Sequence, residues 1–456
     1  MAVPQGIFQM GFAKKETSYG TPLPFIATDA FEADASGIDI SGEEERTLRD
    51  DMDNVSRGYK SQTQGRRTAA FNIPKFLMGG GSLAAAPDDL PLWETVFTYA
   101  AGGTATTVSG ATTTTAVLAD STGFAENRGI VIDGEARLCT DLTTVSAVTT
   151  ITWAPPLSEA PADGTAITTT GTLYMSNNNT TSASIWQQIG DSNAGEAKCK
   201  CISGAVVAAL NIKMSGGESA TVTHSGVGKE TSLFENMITG TLTDAADLSL
   251  SVYDNRVGVY VSGEGLCYYQ IEDEVVCAIY GSDDTDIVTL HATSGRGQFS
   301  TDAAAHTNKD ADVYFPNATT GGEVIAGVLA DIYWGANSVT ILDISIDIEP
   351  GVELRNNELG TESATEKINS GKFTVRYEAN AYNEDGAIFI AQLSDTQNAI
   401  FAQAGEDDGS IVAVYMPQCC HDSPKWGSES DKPTQTVTGN ALESATGNDA
   451  IFILFA

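Results

Sequence analysis

Leu342–Glu349, LDISIDIE, alternates apolar and polar residues without a break. Successive side chains of a β-strand point to opposite faces, so this alternation predicts a strand with one apolar face and one acidic face. The apolar positions are Leu342, Ile344, Ile346 and Ile348, and the polar positions are Asp343, Ser345, Asp347 and Glu349. A strand of this kind is typical of a sheet with one face against a core.

The rest of the chain extends the same pattern. Phe373–Ala379 alternates in the same way, and short stretches rich in Thr, Val and Ile are separated by turn residues throughout. The sequence therefore predicts an all-β protein with one or two short helices. One helix is predicted to begin at Pro87 and to place Leu92, Val96 and Tyr99 on one stripe, and a second is predicted for Asn383–Leu393.

Charge restricts the function. The 456 residues include 60 Asp and Glu but only 24 Lys and Arg, a formal charge of -36. A protein that grips nucleic acid needs surplus cations to displace counterions, so this class is excluded, although the chain could surround DNA without holding it. The acidic bias also raises the hypothesis of a salt-rich, halophilic habitat.

Location is predicted from two negative patterns. The chain shows no secretion-signal pattern at its start and no apolar run approaching 18 residues, so we expect neither secretion by this route nor a membrane span. Its cysteines are odd in number and scattered, which favours assembly in a reducing cytoplasm over a disulfide scaffold. They are Cys139, Cys199, Cys201, Cys267, Cys277, Cys419 and Cys420.

Landmarks recur about 130 residues apart, which indicates an internal duplication. NRGIVIDGEARLC at 127–139 matches NRVGVYVSGEGLC at 255–267, the alternation at 210–215 matches that at 344–349, and Gly228 matches Gly360. We therefore divide the chain into an N-terminal core part (1–104), a small inserted β-domain (105–172), core strands of the first repeat (173–247), a second inserted β-domain (248–318), and core strands of the second repeat with the C-terminal closure (319–456).

One segment departs from the overall charge. Between positions 54 and 75 the chain carries five cations and no carboxylate. This segment is either a solvated strand pair or a patch that docks on an acidic face of another copy, and we favour docking. The predicted subunit-interface residues are Arg57, Lys60, Arg66, Arg67 and Lys75.

Catalytic patterns are incomplete. Gly79-x-Gly81-x-x-Ala84 fits a dinucleotide motif only formally, since no β-run leads into it. Cys419-Cys420-His421-Asp422, with Cys199 and Cys201, is the best metal candidate, but its spacing matches no common zinc site, and buried thiols are the favoured interpretation. We predict no catalytic residues, no metal site and no cofactor, and hence not an enzyme.

Two segments carry a family resemblance. Lys15–Thr21 (KETSYGT), followed by strands and the helix of PDDLPLWETVFTY at 87–99, resembles the tail tube proteins, or major tail proteins, of long-tailed bacterial and archaeal viruses. The segment from Asp120 to Thr165 resembles the small β-domain often inserted in that family. The resemblance implies a tail-tube-type β-sandwich or barrel core with two inserted small β-domains.

The resemblance also implies a function. Subunits of that family form stacked rings around a channel for genome ejection, so the implied partners are other copies, other tail proteins, and viral double-stranded DNA that passes without specific binding. The implied location is the virion tail, after assembly in the host cytoplasm. Asp343, Asp347 and Glu349 are then candidates for the lumen, where negative charge repels phosphate.

Two questions stay open from sequence. Rings could hold six copies, or three copies that each supply two tube-like halves, and we favour six because a single N-terminal helix block precedes the repeats. The alternatives to a tube are a capsid decoration or surface-layer protein and, less favoured, a cation-dependent or carbohydrate-acting enzyme.

Overall fold

A computed structural model describes most of the chain. The described residues are 9–21, 29–33, 37–48, 62–83, 85–176, 179–189, 198–235, 249–251, 266–271, 274–279, 287–290, 313–314, 323–327, 330–356, 358–382, 397–422, 424–429, 432–444 and 447–456. The predicted second helix at 383–393 lies outside them, as do Arg57 and Lys60.

The described residues form an all-β protein with one short helix, as the alternating sequence predicted. The first half contains β1 (Gln9–Lys15), β2 (Ala30–Phe31), β3 (Asp39–Leu48), β4 (Gln62–Phe76), α1 (Leu90–Trp93), β5 (Phe97–Ala100), β6 (Ala105–Ser109), β7 (Thr115–Leu118), β8 (Gly129–Ile132), β9 (Glu135–Val145), β10 (Val148–Ala154), β11 (Ala166–Thr169), β12 (Gly171–Met175), β13 (Ala183–Ile189), β14 (Lys198–Ser215), β15 (Thr221–Gly228) and β16 (Glu230–Glu235).

The second half is also made of strands. It contains β17 (Ser249–Ser251), β18 (Leu266–Ile271), β19 (Glu274–Ile279), β20 (Ile287–Leu290), β21 (Val313–Tyr314), β22 (Ala330–Trp334), β23 (Asn337–Ser338), β24 (Ile341–Glu349), β25 (Val352–Arg355), β26 (Glu366–Asn369), β27 (Thr374–Tyr382), β28 (Asn398–Ala404), β29 (Val412–His421), β30 (Lys425–Glu429), β31 (Lys432–Ala441) and β32 (Phe452–Phe455).

The central layer is an antiparallel sheet that we call the long sheet, in the order β3-β4-β15-β14-β24-β27-β31-β30. Its core-facing positions follow the alternation read from the sequence, because Ile344, Ile346 and Ile348 of β24 are all at most 1% exposed. They pack in one cluster with Ile212 of β14 and Tyr377 of β27. Replacing a side chain such as Ile346 with Ala would cost about 2–5 kcal/mol.

A second layer, the back sheet, covers the apolar face of the long sheet. Its order is β5-β12-β32-β29-β28-β22-β23, and β29 also pairs with β31 of the long sheet. Val414 and Met416 of β29 face the long sheet, whereas Ala413 and Tyr415 face away from it into another apolar cluster. Both faces of β29 are therefore buried, which explains its nearly continuous apolar sequence.

The six strands β6–β11 close into a barrel within the range predicted for the first inserted domain. Its own core includes Ile151 and Trp153. On its outside, Val131 and Leu138 pack against Phe401 and Phe452 of the back sheet. The barrel thus lies behind the back sheet, on the side away from the long sheet. Strands β17–β21 form a separate five-stranded sheet within the second predicted insertion.

The helix is shorter than the sequence predicted. It ends at Trp93, and Tyr99 lies in strand β5 rather than on a helical stripe. Leu92 and Trp93 are fully buried, and Trp93 meets Phe455 with ring centroids 5.8 Å apart. Pro91, in the first turn, fits the start of a helix, and the apolar residues that follow fasten this turn into the core.

The strand order shows a tandem repeat that differs from the predicted period of about 130 residues. In chain order, β3, β4, β14 and β15 form the first half of the long sheet and β24, β27, β30 and β31 the second. Each half has the spatial order first, second, fourth, third. After the second strand of each half the chain enters the back sheet, as β5 and β12 or as β28 and β29. We call the halves the first unit and the second unit.

Two of the three landmark pairs of the predicted period are not equivalent in the structure, and most of the 255–267 stretch of the third pair lies outside the described residues. Gly228 ends strand β15, whereas Gly360 lies in the turn of the β25–β26 hairpin with a φ of 89°. The stretches 210–215 and 344–349 are neighbouring strands that pair with each other. The sequence repeat that matches the units is instead Ile38–Ser41 (IDIS) with Leu342–Ser345 (LDIS), at the first strand of each unit.

Candidate assembly surface

The long sheet presents a polar face opposite its core face. Thr, Ser and Asn side chains cover this face on β15, β14 and β31, between charged residues near the middle. Where β14, β24 and β27 lie side by side, the charged side chains of this face are Lys213, Asp343, Asp347, Glu349, Arg376 and Glu378. Carboxylates outnumber cations here, so the centre of this face is acidic.

A row of polar side chains crosses each unit at the same place. In the second unit, Asp343, Asn380 and Thr436 lie opposite one another on adjacent strands. The Asn380 amide donates to Asp343 Oδ1 at 2.8 Å, and the Thr436 hydroxyl donates to Asn380 Oδ1 at 2.6 Å. These cross-strand bonds hold the carboxylate in one orientation on the polar face.

The first unit repeats this row with Asp39, Asn72 and Ser225. The Ser225 hydroxyl donates to Asn72 Oδ1 at 2.7 Å, as Thr436 does to Asn380. Two units with the same strand order and the same Asp-Asn-Ser/Thr row therefore present the same polar surface twice. This symmetry was not found from the sequence, and the IDIS and LDIS strings were the signal available for it.

The three residues predicted to line a lumen all lie on the polar face. Asp347 and Glu349 are exposed, and Asp343 is half-buried. Asn211 of β14 donates to Asp347 Oδ1 at 2.6 Å, and Arg376 lies opposite Asp347 on β27. The structure thus brings these carboxylates together on one surface. Their position in a lumen stays a prediction.

The long sheet ends at β3 on one side and at β30 on the other. Within the part of the chain that the structure describes, β3 pairs along its length only with β4, and β30 pairs only with β31. Backbone groups on the outer side of such strands can pair with another strand. On β30 the side chain of Trp426 is 60% exposed, which is unusual for an indole.

The predicted basic interface is corrected at Lys75. Its side chain is buried on the core face of β4, where its ammonium pairs with Asp88 Oδ1 at 2.5 Å and Asp89 Oδ1 at 3.3 Å. It is therefore unavailable to another copy. Counting charges along the sequence could not reveal that Lys75 falls in the inward phase of its strand.

The two described arginines of that segment lie on β4 near the chain's own carboxylates. Arg67 approaches Glu230 at 3.9 Å and Glu362 at 3.6 Å, and its backbone N–H donates to the Glu362 carbonyl. Arg67 is thus partly neutralised within the chain. Arg66 is half-buried, and its role at an interface stays a prediction.

Lys75 belongs to a buried ion cluster that fastens the helix to the first unit. Asp89 joins Lys75 to His224 of β15, whose Nε2 lies 2.9 Å from Asp89 Oδ2. Burial alone would raise the pKa of Asp89, but Lys75 and His224 hold it well below its usual range. Burial likewise opposes the charge on Lys75, yet Asp89 and Asp88 keep its pKa raised. Lys75 and Asp89 therefore carry opposite charges in the folded protein.

The barrel is fastened to the back sheet by polar groups as well as apolar ones. Arg137 of β9 is fully buried between the rings of Tyr333 and Phe401, 5.1 and 5.2 Å from their centroids, and pairs with Glu135. Gln403 of β28 accepts a hydrogen bond from the Ala136 N–H at 2.8 Å. These contacts give the barrel a defined position behind the long sheet.

The KETSYGT segment that carried the resemblance has a structural role. Glu16 is buried and accepts four hydrogen bonds, from the backbone N–H groups of Gly20 and Gly204 and from the hydroxyls of Ser182 and Ser184. One carboxylate therefore ties the end of β1 to β13 and β14. Replacing it with Ala would leave two buried backbone donors unpaired.

The ammonium group of Lys367 is a further buried polar group that the sequence did not predict. Lys367, on the β25–β26 hairpin, donates to the carbonyls of Thr95 at 2.5 Å and Thr181 at 3.4 Å. Burial lowers the pKa of Lys367 to about 8. The contact ties the hairpin to the end of the helix, and the sequence showed no pattern for it.

Cys419 and His421, from the metal candidate of the sequence, pack against other side chains of the chain. Cys419 is buried in β29, and burial raises the pKa of its thiol. His421 hydrogen-bonds through Nδ1 to the Tyr377 hydroxyl and stacks at 4.7 Å from Trp334. Burial lowers the pKa of His421 to about 4. Among the described residues no three His, Cys, Asp or Glu side chains are grouped to hold a metal ion.

Comparison with known proteins gives no family. No protein-family model matches the chain, and a search of curated proteins finds no match. Of the residues that the structure describes, none forms a helix long and apolar enough to cross a bilayer. The features that bear on function are the polar face, the free edges and the back of the molecule.

Proposed function

We propose that this protein is a structural subunit of a viral tail tube, whose copies join through their sheet edges into stacked rings that surround a conduit for double-stranded DNA. The observation that carries the proposal is the long sheet itself. One of its faces is covered by the back sheet and the other is polar and exposed. Among the strands that the structure describes, those at its two ends pair on one side only.

The edges favour assembly over a monomer. A free edge exposes backbone N–H and C=O groups that pair readily with a further strand, and monomeric proteins usually protect such edges. An interface between two different edges of the same chain is heterologous, so repeated association closes a ring when the rotation fits. Antiparallel strands at both ends allow β30 of one copy to continue into β3 of the next.

The polar face favours a lining that does not hold DNA. Asp347 and Glu349 are exposed at its centre, and the hydroxyl and amide groups around them offer no surplus of cations to bind phosphates. A closed sheet lined in this way repels a polyanion over its whole length. The barrel lies behind the back sheet and would decorate the outside of such a ring.

Electron microscopy of the purified protein tests the proposal. We expect hollow stacked rings, alone or in tubes, in negative stain. Flat arrays or isolated monomers over a wide range of protein and salt concentrations would contradict it, the first in favour of a surface layer and the second in favour of a decoration protein.

A charge reversal tests which face lines the channel. The variant Asp347→Lys/Glu349→Lys should retain linear double-stranded DNA inside assembled tubes at low salt, whereas the unaltered protein releases it. The control Asp120→Lys/Glu126→Lys makes the same change in net charge on exposed positions of the barrel region. Equal DNA retention by both variants would contradict an acidic lumen.

A further inference from the structure

The junction between the two units is an edge pairing already made inside one chain. Strand β14, the third strand of the first unit, pairs antiparallel with β24, the first strand of the second. The two free edges are formed by equivalent strands. Strand β30 is the third strand of the second unit, as β14 is of the first, and β3 is the first strand of the first unit, as β24 is of the second. The β14–β24 junction is therefore a template for a junction between copies.

We infer that a ring contains three copies, each supplying two tandem units, and that β30 of one copy pairs with β3 of the next in the register of the β14–β24 junction. The inference rests on the proposed function, since it describes how the ring closes. It replaces the six copies favoured from the sequence, where the single helix block concealed that the strand order of the long sheet occurs twice.

Burial at equivalent positions supports the template. Trp426 lies opposite Gln435 in β30–β31, and Leu210 occupies the equivalent place in β14–β15, opposite His224. Leu210, which lies beside β24 in the core cluster, is 1% exposed, whereas Trp426, at the edge, is 60% exposed. A copy that placed its β3 beside β30, as β24 lies beside β14, would cover the indole.

Barrel geometry favours three copies over two or six. Adjacent strands lie about 4.8 Å apart and tilt by about 40° in closed barrels, so the eight strands of each copy fix the radius. Three copies give about 24 strands and, after side chains of about 6 Å are subtracted on each side, a bore of roughly 36 Å. Two copies leave roughly 20 Å, no more than the width of a bare duplex, and six leave roughly 85 Å.

The polar rows give the register. In the first unit the row Asp39–Asn72–Ser225 continues to Ala209 on β14. In the second unit the row that begins at Asp343 continues to Lys425 on β30, so Ala209 and Lys425 are equivalent positions. Ser215 of β14 lies opposite Asp343 of β24, which is equivalent to Asp39 of β3. Transferred to the free edges, the same register sets Glu429 opposite Ser41 of the next copy.

Disulfide trapping tests this register. In Ser41→Cys/Glu429→Cys, directly opposed positions bring the two Cβ atoms to about 5 Å, within reach of a disulfide. We expect oxidised rings to give a non-reducing ladder of covalent species that stops at three chains of 47.7 kDa. In the control Ser41→Cys/Lys425→Cys the second cysteine is displaced by about 13 Å along β30, so it should not link. The single variants measure any contribution from the native cysteines.

Cryo-electron microscopy of the unmodified tube counts the copies independently of any variant. Threefold rotational symmetry with two similar inner units per chain is the expected result. Tubes with six chains per ring would overturn this inference and leave the proposed function intact, whereas failure to form rings would overturn both. Threefold rings in which only the displaced cysteine pair links would overturn the β30–β3 register.

Discussion

The two units of the long sheet have the same strand order but are stabilised in different ways. In the first unit, the buried side chains near the helix are charged, with Lys75 and Asp89 paired around His224. In the second unit Gln435 takes the place of His224, and the histidine that packs beside this unit is His421 of β29, a neutral ring that lies between Tyr377 and Trp334. Each of the two histidines packs on a tryptophan, with ring centroids 5.0 Å apart for His224 and 4.7 Å apart for His421.

The difference teaches that strand order does not fix the chemistry of the core. The first unit contains α1, which brings two adjacent carboxylates, Asp88 and Asp89, to the inward side of β4. Their charge requires a buried cation. Beside the second unit the neighbours of His421 are aromatic. Its ring can therefore be buried in the neutral form, with a hydrogen bond to the Tyr377 hydroxyl.

The largest expected effect is on the ion cluster. Asp89→Asn should lower the free energy of unfolding by about 3–5 kcal/mol, because it removes one charge from a buried network. The matched change in the second unit, Tyr377→Phe, removes the hydroxyl that hydrogen-bonds to His421 and should lower the free energy of unfolding by about 1 kcal/mol. Urea denaturation of the two variants measures both values. Equal losses would show that the units do not differ in this way.

A smaller effect is expected from acid. The pKa of His421 is lowered to about 4 in the folded protein, against 6.5 for a free side chain, so the unfolded state binds the proton more readily. Stability from this group is therefore full above pH 6.5 and falls as the pH drops towards 4. After allowance for partial exposure the loss is about 1–2 kcal/mol.

His421→Gln identifies this contribution. The variant should unfold with a flatter pH dependence between 6.5 and 4 than the unaltered protein, as followed by urea midpoints at each pH. Asp89 acts in the same sense but in a lower pH range, because its lowered pKa stabilises the fold above about pH 4 and loses that effect only in stronger acid. An unchanged slope in His421→Gln would mean that this ring is not buried in its neutral form.

The smallest effect on stability is expected at the free edge. Trp426→Ser should change the unfolding free energy of the isolated chain by no more than about 0.5 kcal/mol, because the indole is mostly exposed. Ring formation should nevertheless weaken, as seen by sedimentation over a concentration series. Its counterpart at the internal junction, Leu210→Ser, should destabilise the chain itself. Unchanged ring formation by Trp426→Ser would show that β30 does not take part in assembly.

The fold class could be predicted because alternation is a local property. The polar face of β24, with Asp343, Asp347 and Glu349, followed directly from the sequence, since a strand with one apolar phase must turn the other outward. That Lys75 lies on the core face of its strand could not be predicted in the same way. Its strand contains a proline and a basic run, and the carboxylates that pair with it, Asp88 and Asp89, come from the residues just before the helix.

The repeat shows the same limit more clearly. Matching strings at a period near 130 residues selected Gly228 and Gly360, which the structure places in different elements. The equivalent strands are separated by unequal distances, because the barrel is inserted between β5 and β12 of the first unit only. A fixed offset therefore cannot align them.

The sequence by itself determined that the chain is all-β, that it is strongly acidic, and that one face of β24 carries carboxylates. These properties depend only on residue types and on the two-residue repeat of side chains along a strand. Tertiary structure alone decided the order of the strands, the burial of Lys75 and Arg137, and the two sheet edges that no other described strand covers. These depend on pairings between residues far apart in the chain, and the free energy of such pairings is set by the partner strand rather than by the local sequence.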